Sequence, residues 1–134
     1  MPLYSETSKR RLYECHVDLQ KIFFEVIKYY DCMILVGERN EEEQRIAFEN
    51  DYSKKKYPES KHNIKPSLAT DAVPWFKDVP HIRWDDMKKF YEFGGFVQAI
   101  AKTLGIEIIW GGNWDRDQEL DDQKFYDLAH FELA

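Results

Sequence analysis

The chain has 134 residues, of which 43% are hydrophobic and 16% aromatic, and this is enough to build one domain around one core. The net charge of −6 argues against binding to nucleic acid or to an anionic lipid surface. Two cysteines make no disulfide framework, and neither a membrane span nor a signal peptide is recognisable, so we expect synthesis in the cytosol without stable membrane insertion.

The first part of the chain alternates between helix and strand patterns. Apolar residues at three- and four-residue steps predict one amphipathic helix over about residues 7–30. The short apolar run Met33–Val36 predicts a buried strand. Asn40 followed by Glu43 is typical of a capping box and predicts a further helix that ends near Asn50.

The second part of the chain begins with a long polar stretch, residues 51–68, which predicts a loop of the kind that is often functional. A long helix should then begin at Asp85 and end at Gly105, with Gly94-Gly95 marking close packing or a bend. The remaining apolar runs predict strands at 69–73, 106–110 and 130–133. The predicted fold is α+β: a small, mainly antiparallel sheet packed against about three helices, forming a single domain over residues 1–134.

Two short segments together carry the residues that a catalytic zinc site needs. Asp71 and His130 lie on predicted strands that can be neighbours, and His62 can reach them from the long loop. Two imidazoles and a carboxylate suit Zn²⁺. Asp127, three residues before His130, is close enough to meet the attacking water as a general base.

Each of these residues has an ordinary explanation when it is taken alone. Asp71 or Asp127 could be a helix cap or a surface charge, and His62 could be an unligated loop residue. We expect the other two histidines, His16 and His81, to be hydrogen-bonded core residues. Only the combination of the two segments indicates a metal site.

The order of these motifs resembles a family of zinc peptidases. Ser60-x-His62, then Ala69-x-Asp71, then Asp127-x-x-His130 is similar to the pattern of D-alanyl-D-alanine carboxypeptidases, vancomycin-resistance D,D-dipeptidases and phage L-alanyl-D-glutamate endopeptidases. Gly37-Glu38-Arg39 with Glu41-Glu42-Glu43-Gln44 is similar to the upstream Gly-x-Arg…Gln element of the family. The segments that look like the phage members are Ala72-Val73-Pro74-Trp75, Trp84-Asp85-Asp86, Leu104-Gly105-Ile106 and Trp110-Gly111-Gly112-Asn113-Trp114. The whole resemblance spans about residues 33–133.

The resemblance implies a role for each matching residue. The zinc ligands would be His62, Asp71 and His130, with Asp127 as the general base. Arg39 would bind the substrate carbonyl or the oxyanion, which suits a fixed guanidinium. The resemblance also suggests two supporting roles. Ser60 would support the loop or contact substrate, and Gln44 would orient Arg39.

The segment between the first two ligands departs from the family pattern. The spacing of nine residues from His62 to Asp71 is two longer than the common form. Lys65-Pro66 also lies where the family usually has a glycine. The loop must therefore bulge differently to deliver His62, and proline can help by fixing φ.

The expected function is that of a phage endolysin with a fold like that of D-Ala-D-Ala peptidases and hedgehog proteins. It would hydrolyse the L-Ala–D-Glu bond of peptidoglycan stem peptides, acting as a monomer on the periplasmic wall after release from the host cytoplasm through a holin. One alternative is a D,D-carboxypeptidase or dipeptidase acting on D-Ala-D-Ala. Two others are a zinc-bearing binding module without turnover and a cytosolic interaction domain without metal.

A cluster of acidic residues near the C-terminus raises the question of a second ion. Asp115, Asp117 and Glu119 offer oxygen ligands at alternate positions, as in a calcium loop. Leu120 stands where an EF-hand would need glycine. Some phage relatives carry a regulatory Ca²⁺ near this place, so the hypothesis is a Ca²⁺ site, and the alternative is a solvated acidic loop.

Overall fold

The computed structural model describes residues 2–114, 116 and 127–134. Its elements, in chain order, are α1 (Glu6–Tyr13), α2 (Val17–Val26), β1 (Cys32–Val36), α3 (Glu41–Glu49), the 3₁₀-helix η1 (Lys61–Asn63), β2 (Ala69–Pro74), α4 (Met87–Thr103), β3 (Ile108–Gly111) and β4 (Asp127–Leu133). The four strands form one antiparallel sheet in the order β1-β2-β4-β3. The predicted α+β class is confirmed, with four α-helices in the described ranges rather than about three.

The extra helix arises because the predicted helix over residues 7–30 is wrong: the chain breaks it into α1 and α2. At the break the backbone pairs with the loop that precedes β2. Ser67 N–H donates to the carbonyl of Glu14 at 2.9 Å, and the carbonyl of Ser67 accepts from the N–H of His16 at 2.8 Å. The carbonyl of Glu14 and the N–H of His16 thus bond to Ser67 instead of to groups of a continuous helix. The same pairing ties the end of α1 to the loop that carries the candidate site.

The two histidines that we predicted to be core residues lie elsewhere. His16 is half-buried and caps α2, its Nδ1 accepting from Asp18 N–H at 3.0 Å. His81 is exposed and stacks on Trp75 with ring centroids 4.6 Å apart. His81 Nδ1 also lies 2.8 Å from the carbonyl oxygen of Phe76. Both rings are therefore hydrogen-bonded as predicted, but the predicted location in the core is wrong, because their polar partners lie near the surface.

The core lies between the sheet and the helices α2 and α4. Phe131 of β4 is fully buried, and its ring meets Phe23 of α2 and Phe93 of α4 edge-on at 5.5 and 5.9 Å. Edge-to-face packing of this kind adds stabilisation beyond the burial of apolar area. The aromatic core therefore fixes β4, one of the two central strands, against the helical layer.

The long helix α4 shows why one of its glycines is needed. A Cβ on Gly94 would lie 2.3 Å from the Trp110 ring, whereas one on Gly95 would meet nothing within 4 Å. The predicted close packing is confirmed at Gly94, and the helix continues through both positions. Its N-cap is Asp86 rather than the predicted Asp85, and Gly105, with φ of +72°, follows its C-terminus in the left-handed region.

The turn between β1 and α3 is held by the predicted capping box. Asn40 accepts from Glu43 N–H at 2.8 Å, and the Glu43 carboxylate accepts from Asn40 N–H at 2.9 Å. This fixes the backbone immediately after Arg39.

Within the described ranges, no helix is both long enough and apolar enough to cross a bilayer.

Candidate metal centre

Three side chains from distant parts of the sequence meet in the centre of the sheet. Asp71 Oδ1 lies 3.2 Å from His62 Nε2 and 3.2 Å from His130 Nδ1. One ligand atom from each residue lies within 4.8 Å of the others. All three residues are buried, with exposed fractions of 1% for His62 and 8% for the other two. The structure thus brings together the predicted ligands.

The long loop delivers His62 through a short 3₁₀-helix. Ser60 caps it by accepting from the N–H of His62 at 3.2 Å, and Asn63 completes the box by accepting from Ser60 N–H at 3.0 Å. His62 Nδ1 lies 2.7 Å from the carbonyl oxygen of Gly37. A carbonyl oxygen only accepts, so Nδ1 carries the hydrogen of the neutral ring and donates it. The other ring nitrogen, Nε2, is therefore left to face the cluster.

His130 is anchored in the same manner from the opposite side. Its Nε2 lies 2.8 Å from the Glu132 carboxylate, and Glu132 in turn lies 2.8 Å from Lys61 Nζ. The ring therefore presents Nδ1 to Asp71. Each imidazole has one nitrogen held by an oxygen and the other directed inward beside a carboxylate, and this donor set fits Zn²⁺.

Arg39 lies against the cluster. Its Nη2 donates to Asp71 Oδ2 at 3.1 Å, and its Nη1 donates to Gln44 Oε1 at 3.4 Å. Its backbone N–H also donates to the carbonyl of His62 at 2.8 Å. Gln44 is fully buried and is itself fixed by donating to the carbonyl of Lys55 at 2.7 Å. The guanidinium of Arg39 is therefore held between Gln44 and Asp71, and Asp71 is one of the predicted metal ligands.

The charges of the cluster perturb its titration. Burial would raise the pKa of Asp71, but the charge of His62 and the hydrogen bond from His130 outweigh it and hold that pKa well below its usual range. Burial would lower the pKa of His130, but its hydrogen bonds to Asp71 and Glu132 raise it to about 9. Glu132 has its pKa lowered to about 2, because its hydrogen bonds from His130 and Lys61 outweigh the effect of burial. Without a metal, the cluster favours charged carboxylates around a protonated His130.

Asp127 opens β4 beside these residues. The pairing of β3 with β4 is irregular at this point, so that Gly111 pairs with Asp127 directly after Trp110 pairs with Phe131. Burial and the negative charge of Asp71 raise the pKa of Asp127 to about 6. A carboxyl group with such a pKa can both accept and release a proton near neutral pH.

A comparison with known proteins decides the family. The family model described as phage L-alanyl-D-glutamate peptidase matches this chain over residues 3–134. The chain belongs to this family. Membership confirms the predicted family and the predicted class of enzyme, a peptidase.

One curated protein that is similar to this chain is the L-alanyl-D-glutamate peptidase of Escherichia phage T5. It is 25% identical over 136 residues, a match that covers 98% of this chain and 97% of the relative. The two proteins therefore align over nearly their whole lengths.

Solved structures share the fold of this phage peptidase family member. The Serratia marcescens L-Ala D-Glu endopeptidase ChiX superposes with a TM-score of 0.74 at 21% identity, covering 98% of this chain and 90% of ChiX. The LD-carboxypeptidase LdcB superposes with a TM-score of 0.54 at 21% identity, covering 90% of this chain and 57% of LdcB. These similarities confirm the predicted peptidase-like fold.

Sequence reasoning missed two side chains and one carbonyl that support the histidines. Glu132 follows His130 by two positions on the same strand, so the alternation of side chains could have predicted its contact. The partnership with Lys61, and the carbonyl of Gly37, carry no such local pattern. The residues proposed for calcium, Asp115, Asp117 and Glu119, lie outside the described residues.

Proposed function

We propose that the chain is a zinc-dependent peptidase that hydrolyses the L-Ala–D-Glu bond of peptidoglycan stem peptides. The observation that carries the proposal is the convergence of His62, Asp71 and His130, with Asp127 beside them. The choice of bond rests on the family and on the activity named for the phage T5 relative.

The zinc ion would be held by His62 Nε2, an oxygen of Asp71 and His130 Nδ1. When bound, zinc polarises a scissile carbonyl and activates water for attack. Three protein ligands leave one coordination position for chemistry, as catalytic zinc sites require. The anchoring of the remote ring nitrogens by Gly37 and Glu132 supports this arrangement, because it fixes both rings before a metal arrives.

Asp127 would act as the general base. It would accept a proton from the attacking water and pass it to the leaving amine. The pKa of about 6 supports this role, since the group is mostly ionised at neutral pH yet can hold a proton during the reaction. Burial is the main cause of that pKa, and Asp71 adds to it.

Arg39 would stabilise negative charge on the substrate carbonyl oxygen. Its guanidinium has five donors, of which one contacts Asp71 and one contacts Gln44. A guanidinium fixed on two sides loses little freedom when it binds an oxyanion. We therefore assign supporting roles to the two neighbouring residues: Gln44 orients Arg39, and Ser60 caps the turn that carries the first ligand.

The test is digestion of purified peptidoglycan followed by mass spectrometry, with and without a chelator. The proposal expects fragments that end in L-Ala and begin with D-Glu, loss of these fragments with chelator, and recovery with added Zn²⁺. Release of free D-Ala instead would assign a D,D- or L,D-carboxypeptidase. An undigested sacculus in the presence of zinc would overturn the proposal.

In the cell, we propose that the peptidase acts as a monomer on the periplasmic wall and leaves the host cytoplasm through a holin pore. The family supports a peptidoglycan substrate. The acidic net charge of −6 gives no electrostatic help for crossing an anionic membrane.

A further inference from the structure

Lys61 and Glu132 form an ion pair behind the candidate zinc ligands. Lys61 Nζ lies 2.8 Å from Glu132 Oε2, and the Lys61 ammonium also donates to the carbonyl of Leu133. The side chain of Glu132 is 10% exposed and that of Lys61 is 28% exposed. The pair is therefore much more enclosed than the solvent-exposed pairs of this chain, such as Lys89–Glu92, whose side chains are 37% and 60% exposed.

The position of the pair in the chain links two ligand segments. Lys61 immediately precedes His62 on the long loop, and Glu132 follows His130 by two residues on β4. The backbone joins the same segments, because the carbonyl of Lys61 accepts from Leu68 N–H at 3.1 Å and Leu133 N–H donates to the carbonyl of Leu68 at 2.9 Å. The loop that delivers the first ligand is thus tied to the strand that carries the last.

The two oxygens of Glu132 serve different partners. Oε1 accepts from His130 Nε2 at 2.8 Å, while Oε2 contacts the ammonium of Lys61. A histidine that binds a metal is neutral, and in the neutral ring a proton held on Nε2 by this carboxylate leaves Nδ1 free of hydrogen for the metal. The lysine offsets the cost of keeping a carboxylate buried beside the ring.

We propose that Glu132 and Lys61 are positioning residues for zinc binding: Glu132 fixes the His130 tautomer that presents Nδ1, and Lys61 fixes Glu132. The inference rests on the proposed zinc site, and it adds two residues that neither touch substrate nor bind the metal. Lys61, the residue before His62, is anchored to Glu132 on β4. This anchor explains how the lengthened loop between the first two ligands can still hold His62 in place.

The test is a Zn²⁺ titration of the purified full chain, in competition with a chromophoric chelator. Glu132→Leu removes the acceptor, and we expect its zinc affinity to fall by about 10- to 100-fold, the usual effect of losing such a partner. Glu132→Gln keeps an oxygen that can accept from Nε2, so its affinity should lie between those of Glu132→Leu and the wild type. Circular dichroism verifies that each variant is folded, and the isosteric Gln variant serves if the Leu variant is not.

A matched control separates positioning from the general loss of an ion pair. Lys28 and Glu25 pair at 2.9 Å on the surface, so Glu25→Gln and Glu25→Leu remove a similar contact far from the site. Both control variants should bind zinc like the wild type. A double-mutant cycle adds Lys61→Met, which should weaken zinc binding when Glu132 is present and have little further effect in the Glu132→Gln background.

A spectroscopic readout reports on the tautomer itself. In ¹⁵N–¹H spectra of the zinc-loaded wild type, the Nε2–H of His130 should be protected from exchange with water, and this protection should be lost in Glu132→Leu. Zinc affinity of Glu132→Leu within about twofold of the wild type, or unchanged protection of Nε2–H, would overturn the inference while leaving the proposed function intact. A wild-type chain that binds no zinc would overturn both.

Discussion

Asp71 and His130 are directly opposite each other in the antiparallel pairing of β2 with β4, with Asp71 Oδ1 3.2 Å from His130 Nδ1. The register of the two central strands therefore sets the distance between two of the three proposed ligands. A slip of one residue would send one of these side chains to the other face of the sheet. The third ligand, His62, comes from a loop and depends on the contacts of that loop.

Removal of His62 should abolish tight zinc binding. We expect His62→Ala to lower zinc affinity by more than the roughly 100-fold that loss of a supporting partner costs. Metal content after dialysis against a weak chelator, measured by atomic emission, gives the result. His81→Ala is the matched control, because His81 is exposed and lies on a different loop. Full zinc content in the His62 variant would show that the ligand assignment is incorrect.

Neutralisation of Asp127 should separate metal binding from catalysis. Asp127→Asn keeps the shape of the side chain but cannot take the proton, so we expect kcat to fall by about 10²- to 10⁴-fold. Zinc content should stay near one equivalent, since Asp127 is proposed not to bind the metal. Asp78→Asn, in an exposed loop, is the control and should leave kcat unchanged. An Asn variant with wild-type turnover would rule out the base.

The stability of the metal-free protein should fall as pH rises from about 6.5 to about 9. The pKa of His130 is raised from 6.5 to about 9 on folding, so its contribution is complete below 6.5 and is lost as the pH passes through the folded value. The slope is at most about 1.4 kcal/mol per pH unit for one proton. Denaturant unfolding in the presence of a chelator, at a series of pH values, measures it.

The control for this pH dependence is a variant that lacks the His130 imidazole. His130→Asn should remove the slope in this range, and an unchanged slope would contradict the assignment. Burial raises the pKa of the Cys15 and Cys32 thiols from 9 to about 12. The thiols of the unfolded chain ionise first, so these residues lower the stability only above about pH 9. The two effects are therefore separated by the range of pH in which they occur.

The site could be predicted from the sequence because its parts follow local rules. Alternation along β2 and β4 indicated that Asp71 and His130 could converge, and the structure places them opposite each other. The capping box at Asn40 indicated where α3 begins. The motif order added His62, whose loop offers no periodic pattern of its own.

What could not be predicted depends on contacts between distant segments. The apolar spacing runs from α1 into α2 without interruption, and only the pairing of Ser67 with Glu14 and His16 reveals the break. The pairing of Lys61 with Glu132 likewise joins residues 71 positions apart. Neither contact has a signature within a short window of sequence, so both appear only when the sheet and the loop are assembled.

The two adjacent glycines of α4 should respond in opposite ways to alanine. Gly94→Ala should destabilise the fold by about 1–3 kcal/mol, because its Cβ would lie 2.3 Å from the Trp110 ring. Gly95→Ala meets nothing within 4 Å and should stabilise the helix by about 0.5–1 kcal/mol. Denaturant unfolding of both variants provides the measurement, each serving as the control for the other. Equal effects would show that Trp110 does not pack as described.

Replacement of Arg39 by lysine should keep the charge but lose the fork that contacts Asp71 and Gln44 together. If the guanidinium also binds the developing oxyanion, kcat should fall by as much as about 10²- to 10³-fold, the cost of one such donor. Arg45→Lys is the control, because Arg45 pairs with Glu42 and Glu49 on an exposed face of α3.

Zinc affinity measured on the same Arg39→Lys protein distinguishes two possible roles. A fall in kcat with unchanged zinc affinity would assign Arg39 to the substrate oxyanion. A fall in zinc affinity that accounts for the whole loss of activity would mean that Arg39 acts only by holding Asp71. Unchanged values of both would remove Arg39 from the site, because its 3.1 Å contact with Asp71 would then carry no function.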